Sequence, residues 1–578
     1  MVEANPKAPR ATPAPAGNAP VTIPRGAYAI SSVAAVVFGW AAIVRGTSAV
    51  ANVQQSDLTT FFFPAANQIL NGHPWTIYAI RAFGGYPNYN PPISIFLMAP
   101  LLALAHALGI DPNNFRALIA FVSVPFVAFV LLLGYITVVA LRRLFPGIPE
   151  TQRFLAFILV VFGPLTWQTF TVWYHIEQPL MLALLVAAFL AFQARREGLA
   201  GVLAGLAVLS RTTAIVPLIA FGALLLLTRE WRGLLKFGGI AGAVTAIGLA
   251  PFFLFDRADT MYSLVSWRGS AEIGGNSIWS LVRYDGAQQD SPLRYALDHV
   301  ARRLDMYAVV AVVVIVTFLA VRRLRVSAYG REAWAVLAIA TLAVPMLSKN
   351  NWPYYYLEPF VFLLIWEFAS MHDRRSGVWR WPLLTIGFLG LAASLSQFIG
   401  LQSVGALDRI VVGLIEFGTM LVFAVAVWYR AGATRTERTA DAVSTRAAPA
   451  GAAPPFAYDP RRISNGPPFE ATAAYDPQRD ARGSSPAGSP PAPASRGSGW
   501  SPAAEPRPRS GGPPVAGQSS SAWQAPPAGG PPVRPGQSAP PGAPGAPGGA
   551  PSSRSPRRWP PEQGQPPAAP PLGTWPPR

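Results

Sequence analysis

Residues 199–227 read LAGVLAGLAVLSRTTAIVPLIAFGALLLL. This run is longer than the roughly 20 apolar residues that cross a bilayer once, and Ser210, Arg211, Thr212 and Thr213 interrupt it in the middle. A single helix would carry the charge of Arg211 into lipid, so the pattern favours two short helices that meet at Arg211. The stretch therefore predicts a membrane protein with a broken helix.

Apolar runs near the length of a bilayer span recur on both sides of this stretch. Charged residues make up 13% of the chain, whereas a soluble domain carries about 25%. This composition excludes an ordinary soluble enzyme. Besides the broken run, the predicted spans are 27–44, 117–141, 154–170, 180–194, 237–255, 307–321, 334–347, 355–368, 382–399 and 410–428.

Basic clusters such as Arg142 with Arg143, and Arg322 with Arg323, lie between the runs. The positive-inside rule puts these clusters in the cytoplasm, which is self-consistent for about twelve spans with both termini inside a bacterial-type cell membrane. If residues 91–108 crossed the membrane, Arg142 and Arg143 would lie on the outer side. We therefore expect a re-entrant or surface-lying helix on the outer face. The alternative is a true span that violates the rule.

Composition also divides the chain and limits its chemistry. We expect a disordered cytoplasmic N-terminus at 1–26, a membrane catalytic domain at 27–430 and a disordered, Pro/Ala/Gly-rich cytoplasmic tail at 431–578. The tail is an inert spacer or an adaptor for proline-binding proteins. The formal charge of +18 arises from Arg clusters between spans and isolated Arg in the tail, a pattern that does not fit nucleic-acid binding, and there is no cysteine.

Asp57 stands just beyond the first predicted span, in the long loop 50–114 that we place outside. A carboxylate there can meet a hydroxyl from water and a lipid headgroup from the bilayer, and it can accept a proton from that hydroxyl. The alternative is a helix N-cap, which Asp also favours. Asp57 is the candidate general base.

Two cations are candidates for holding a phosphate group. Arg211 is ionisable inside a span and its guanidinium can fork onto phosphate oxygens, although it could instead form a buried pair with Glu177. Lys349 begins an outer turn, where a snorkelling lysine needs no function.

A polar cluster of His175, Glu177 and Gln178 occupies the entrance of another span. The spacing of His175 and Glu177 is not a helical metal-ligand spacing, so we expect these side chains to form hydrogen bonds with a substrate, with no metal and no cofactor. Aromatic residues near 352–356 can stack on a ligand, although aromatic belts also mark membrane interfaces.

The order of several residues resembles the start of glycosyltransferase family 87, whose members use polyprenol-phosphate sugars and have the GT-C fold. These residues are Asp57, Phe63, Ala65, Ala66, Leu70, Gly72, Tyr89, Pro91 and Pro92, and Gln178, Arg211 and the stretch Asn276, Ser277, Ile278 add to the resemblance. The resemblance implies an all-α, GT-C-like membrane enzyme with outer-face juxtamembrane helices. It also implies transfer of a sugar to an acceptor on the outer face, with inversion at the anomeric carbon.

The resulting hypothesis is a hexosyltransferase, mannose being the first guess. Its partners are a lipid-linked sugar donor, a glycan or glycolipid acceptor and membrane lipids. The stretch 347–359 reads LSKNNWPYYYLEP and lacks the His of family mannosyltransferases, which leaves the sugar and the acceptor open. Sugar or acceptor contacts are assigned to Tyr89, Asn90, His175, Glu177, Gln178, Asn276, Asn350 and Tyr354. A transporter or flippase of lipid-linked glycans, and a scaffold that works through the tail, remain as alternatives.

Overall fold

The computed structural model describes residues 23–49, 57–81, 86–171, 174–267, 271–274, 277–283, 292–349, 351–371, 381–399 and 406–447. The chain divides into two units, Met1–Tyr458 and Asp459–Arg578, and all the described residues lie in the first. Residues 448–578, which make up most of the predicted tail, lie outside the described residues.

The described residues form helices joined by short turns. In chain order the helices are α1 (Arg25–Ala49), α2 (Phe63–Leu70), α3 (Pro92–Ala107), α4 (Phe115–Leu144), α5 (Glu150–Val161), α6 (Pro164–Thr171), α7 (Glu177–Gln193), α8 (Glu197–Ser210), α9 (Ile215–Leu227), α10 (Trp231–Phe255), α11 (Arg257–Met261), α12 (Pro292–Leu319), α13 (Glu332–Leu347), α14 (Leu357–Ser370), α15 (Leu383–Ile399) and α16 (Ala406–Ala447).

No β-strand forms in these ranges, where the one isolated bridge joins Arg81 and Pro87. Within them, five helices are long and apolar enough to cross a bilayer, and further apolar helices are 10–17 residues long. The predicted all-α, polytopic membrane class is therefore confirmed. The number of spans and their orientation stay predictions.

The predicted break at Arg211 is confirmed. Helix α8 ends at Ser210, Arg211 has extended backbone angles of φ −158° and ψ 133°, and a short 3-10 turn leads into α9. The Arg211 amide still donates to the carbonyl of Ala207, at 2.9 Å, which closes the last turn of α8. The break thus moves the Arg211 side chain off the helix surface without leaving its own backbone donor unsatisfied.

The span predicted over 154–170 is not one continuous helix, because the structure has two helices there, α5 and α6, separated by Phe162 and Gly163. A Cβ at Gly163 would lie 2.2 Å from the carbonyl oxygen of Leu159, so this backbone position accepts only glycine. Pro164 starts α6 at the first helical position, where its missing N–H is not needed. Hydropathy alone did not reveal this Gly-Pro break.

Residues 91–108 form a helix as expected, and one face of α3 is buried. The buried side chains include Ile95, Met98, Leu102 and Ala105, which recur every three or four residues. Whether α3 lies on the membrane surface stays a prediction. At the other end of the domain, α16 continues past the boundary predicted at residue 430 and is described as far as Ala447.

Helix α8 packs directly on α10 through two glycines. A Cβ at Gly201 would lie 2.7 Å from the carbonyl oxygen of Phe237, and a Cβ at Gly205 would lie 2.7 Å from the Cβ of Val244. Small residues four apart let two membrane helices approach closely, so that van der Waals packing holds them together. This contact fixes α8, and therefore Arg211 at its end.

We expect Gly205→Leu to lower the free energy of unfolding by about 1–3 kcal/mol, because the new side chain must displace α10. The measurement is thermal unfolding in detergent. Gly242→Leu is the matched control, since nothing lies within 4 Å of a Cβ at Gly242. Equal melting temperatures for the two variants would contradict the packing account.

Candidate functional site

Two buried apolar clusters meet around the polar residues predicted from the sequence. Leu58 and Ile176 belong to the cluster built mainly on α1, α3 and α4. Ala214 and Tyr356 belong to the cluster built mainly on α7, α13 and α14. Polar side chains between such clusters are removed from bulk water, where charge interactions are stronger than at an exposed surface.

Asp57 is not a helix N-cap, and that alternative is wrong. Its backbone is helical, with φ −55° and ψ −32°, and its side chain makes no capping hydrogen bond. It precedes a π-helical turn, Leu58–Phe62, a rare feature that often accompanies functional sites. The carboxyl is bound by the Tyr89 hydroxyl, and Oδ2 lies 3.3 Å from Nε2 of His175.

His175 connects Asp57 with the cation in the broken helix. Its Nδ1 lies 3.0 Å from Nη1 of Arg211 and 2.9 Å from Oε1 of Glu177. Arg211 also donates directly to Glu177. The buried Arg211–Glu177 pair left open by the sequence therefore exists, and His175 bridges it to Asp57.

Both ring nitrogens of His175 face polar neighbours. Nε2 faces Asp57, while Nδ1 lies within hydrogen-bond distance of both Arg211 and Glu177, and Arg211 also donates to Glu177. A proton on Nε2 gives Asp57 a donor, and a proton on Nδ1 gives Glu177 one. The cluster is thus a continuous polar connection from the Asp57 carboxyl to the Arg211 guanidinium.

The Tyr354 ring packs against both His175 and Arg211. The centroids of the Tyr354 and His175 rings are 4.0 Å apart, and the Arg211 guanidinium lies 4.9 Å from the Tyr354 ring centroid. Gln178 donates to the Tyr354 carbonyl at 2.6 Å, which holds the turn in place. The aromatic ring stabilises the cation and shields it from solvent.

Several polar atoms of the cluster have no hydrogen-bond partner among the described residues. They include Nε of Arg211, Oε2 of Glu177 and Oε1 of Gln178. Buried polar atoms in native proteins are usually paired, so each orphan atom calls for an explanation. A ligand that offers acceptors to Arg211 and hydroxyl donors to Gln178 would satisfy them.

Burial raises the pKa of the Asp57 carboxyl above its ordinary value of 3.8. His175 acts in the opposite direction by its charge, Glu177 adds to the increase, and Arg211 and the Tyr89 hydrogen bond oppose it. The side chain is still 23% exposed. Asp57 is therefore a stronger base than a surface aspartate and remains accessible to a substrate hydroxyl.

The remaining predicted site residues lie apart from this cluster or outside the described residues. Asn90 is buried and its side chain donates to Asn88 at 3.4 Å. The Lys349 ammonium donates to the carbonyl of Arg302 on α12, at 2.7 Å. Asn276 and Asn350 lie outside the described residues. Phosphate binding by Lys349 and sugar binding by Asn90 stay predictions.

Sequence reasoning missed Glu358 as part of the site. This buried carboxylate accepts from Thr213, at 2.6 Å, and Arg211 is close enough to interact with its charge. Arg211 therefore lies between Glu177 and Glu358. The signal was present, since Glu358 is an ionisable residue within an apolar run that follows the tyrosine-rich turn.

The described residues contain no group of three or more His, Asp or Glu side chains that could hold a metal ion. The absence of a metal and of a cofactor from the reaction stays a prediction.

The model of glycosyltransferase family 87 matches residues 88–348. No curated protein matches the chain. The resemblance drawn from the sequence is thus confirmed over the matched residues, and the family implies a glycosyltransferase embedded in a membrane. His175, Glu177 and Arg211 fall within the match, whereas Asp57 precedes it.

Replacement of Asp57 and of Glu177 should have opposite effects on stability. A carboxyl whose pKa is raised by folding stabilises the fold only below its ordinary pKa, and that contribution is lost as the pH rises through the raised value. Asp57→Asn should therefore keep or raise the melting temperature at pH 7. Glu177→Gln leaves the Arg211 charge buried without its partner and should cost about 3–5 kcal/mol.

Thermal unfolding of both variants in the same detergent at pH 7 and pH 4 is the measurement. The difference in melting temperature between Asp57→Asn and wild type should be smaller at pH 4 than at pH 7, because Asp57 itself is protonated at pH 4. A clear loss of stability in Asp57→Asn at pH 7 would show that Asp57 has a structural role instead.

Proposed function

We propose that this protein transfers a hexose from a polyprenyl-phosphate donor to a lipid-linked or cell-envelope glycan on the outer face of the membrane, with inversion. The observation that carries the proposal is the connection of Asp57 through His175 to Arg211, which puts a base and a cation in one cluster. Transfer of a sugar from a phosphate needs both groups close together.

Asp57 is the general base of the proposed reaction. The acceptor hydroxyl gives its proton to the Asp57 carboxylate as its oxygen forms a bond to the anomeric carbon. On the opposite side of that carbon the bond to the phosphate oxygen breaks, and the phosphate leaves with the electron pair. The raised pKa of Asp57 suits this role, since a stronger base accepts the proton more readily.

Arg211 stabilises the leaving phosphate in this scheme. The phosphate gains negative charge as its bond to the sugar breaks, and a fixed cation close to it lowers the barrier. Nε of Arg211 has no acceptor among the described residues, so the guanidinium keeps a donor for a phosphate oxygen while it is paired with Glu177. Lys349 is the second candidate ligand for the phosphate.

The sugar itself would lie against this cluster beside Gln178 and Tyr354, since His175 already fills the space between Asp57 and Arg211. The amide oxygen of Gln178 can accept from a sugar hydroxyl, and Tyr354 offers an aromatic ring close to the same atoms. Mannose is the first candidate. Catalysis in this scheme uses the side chains of the chain and the two substrates, without a metal or cofactor.

Transport of a lipid-linked glycan is the second candidate function. Among the described residues, a helix is interrupted at Gly163, between α5 and α6, and another at Arg211, between α8 and α9. Interrupted helices also occur at the substrate sites of transporters. A transporter would move the glycan without forming a glycosidic bond.

The test uses membranes that contain wild type, Asp57→Asn or Asp111→Asn, radiolabelled polyprenyl-phosphate mannose and a lipid-sugar acceptor mixture. We expect Asp57→Asn to lower the transfer rate about 100-fold or more, which is the contribution of a positioned base. Asp111→Asn is the matched control on an exposed turn and should transfer like wild type.

Wild-type transfer that persists in Asp57→Asn would refute the role of Asp57. If wild type transfers no label from any polyprenyl-phosphate sugar, the proposed enzyme activity fails, and uptake of labelled glycolipid into vesicles then tests transport.

A further inference from the structure

A second set of buried polar atoms lies on α16, the last described helix. The Glu416 side chain is 1% exposed, and neither carboxyl oxygen forms a hydrogen bond within the described ranges. Its neighbours on the same face are apolar or glycine, namely Gly413, Met420 and Phe423. A carboxyl that points into the protein from an apolar membrane helix marks a functional site by default.

The residues that surround Glu416 come from two other segments. The Asn351 side chain interacts with the Glu416 carboxyl, but its amide oxygen and nitrogen complete no hydrogen bond within the described residues. A Cβ at Gly413, one turn before Glu416, would lie 2.5 Å from the carbonyl oxygen of Ser277. The loop that contains Ser277 therefore lies directly on this face of α16.

The loop that contains Ser277 contributes two further buried hydroxyl groups to this face. The side chains of Ser277 and Ser280 are buried, and neither Oγ has a hydrogen-bond partner in the part of the chain that the structure describes. Ser280 is held in the turn by its amide, which donates to the Ser277 carbonyl at 2.9 Å. The subsite formed by Glu416, Asn351, Ser277 and Ser280 thus combines buried acceptors with buried donors.

The chemistry of this subsite favours a neutral polyhydroxyl ligand. A phosphate carries negative charge, and the four residues of the subsite include no cation to neutralise it. A metal ion uses acceptors only and would leave the Asn351 nitrogen and the serine protons unpaired. Sugar hydroxyls can donate to the carboxylate and accept from the amide and hydroxyls at the same time.

The subsite is connected to the Asp57 cluster by one short segment. Asn351 is three residues from Tyr354, so their Cα atoms are at most about 11 Å apart at the reach of an extended chain. Trp352, between them, is stacked on Tyr354 with an interplanar angle of 10°. Because Asn351 and Tyr354 belong to one short segment, an acceptor glycan that contacts both sets of residues is the ligand that the subsite requires.

We propose that Glu416, with Asn351, Ser277 and Ser280, binds hydroxyl groups of the acceptor glycan and so positions its reacting hydroxyl at Asp57. The proposal rests on the proposed glycosyl transfer for its catalytic consequence, whereas the binding of a saccharide at Glu416 stands by itself. Glu416 is a specificity-determining residue in this account and takes no part in proton transfer.

Kinetics of Glu416→Gln and Glu416→Leu in nanodiscs test the proposal. At saturating donor, we expect the KM for the lipid-sugar acceptor to rise roughly three-fold to ten-fold in Glu416→Leu, the loss that follows removal of a hydrogen bond, and less in Glu416→Gln. The KM for polyprenyl-phosphate mannose should stay the same. Thr419→Val, which removes a half-buried hydroxyl from the same helix, is the control and should leave both values unchanged.

A binding measurement separates this proposal from the enzyme activity. Octyl mannoside is titrated into nanodiscs with wild type or Glu416→Leu, and the tryptophan fluorescence is recorded, to which Trp279 and Trp352 beside the subsite contribute. Saturable quenching in wild type that is lost in the variant supports the subsite even if no transfer occurs. Transfer by wild type with an unchanged acceptor KM and unchanged quenching in the variant overturns the subsite and leaves the proposed activity intact.

Melting temperatures complete the test. Glu416→Leu removes a buried polar group from an apolar helix, so the variant should melt at or above the wild-type temperature. A lower melting temperature together with an unchanged acceptor KM would show that Glu416 only supports the fold, and would overturn the proposal.

Discussion

A buried guanidinium needs a counter-ion, and much of this membrane domain is arranged around that requirement at Arg211. The helix that carries Arg211 breaks there, so the side chain leaves the lipid-facing surface and reaches Glu177 at the start of α7. Close packing through Gly201 and Gly205 fixes α8 against α10 and thereby the position of the break. An unpaired charge in this place would cost several kcal/mol, which is why the fold and the ion pair depend on each other.

The same interaction prepares the chemistry. Arg211 holds one nitrogen of His175, and the other nitrogen of that ring faces Asp57. The Asp57 carboxyl and the Arg211 cation are therefore positioned next to each other by the fold itself, between two apolar clusters that keep the local environment weakly polarisable. Preorganised charges in such surroundings act more strongly on a developing charge than the same groups would in water. The similarity to glycosyltransferase family 87 over residues 88–348 agrees with a site of this kind.

Local patterns were predictable from the sequence, whereas contacts between distant segments were not. The break at Arg211 follows from a charge in an apolar run, and the grouping of His175, Glu177 and Gln178 follows from their adjacency. The contact of Asp57 with His175 joins segments far apart in the chain, so no spacing rule could reveal it. The break at Gly163 was missed because Gly and Pro hardly change the hydropathy of the run, and Glu416 was missed because one carboxyl does not alter the apolar character of a span.

The most direct test of the central claim, that Asp57 is the base in this cluster, is the pH dependence of kcat/KM for sugar transfer by the wild-type protein. Since burial raises the pKa of Asp57 above 3.8, the rate should fall as the pH decreases through that raised value, with a slope of one proton, while the protein stays folded. A rate that stays constant down to about pH 4, the ordinary pKa of an aspartate, would contradict the account.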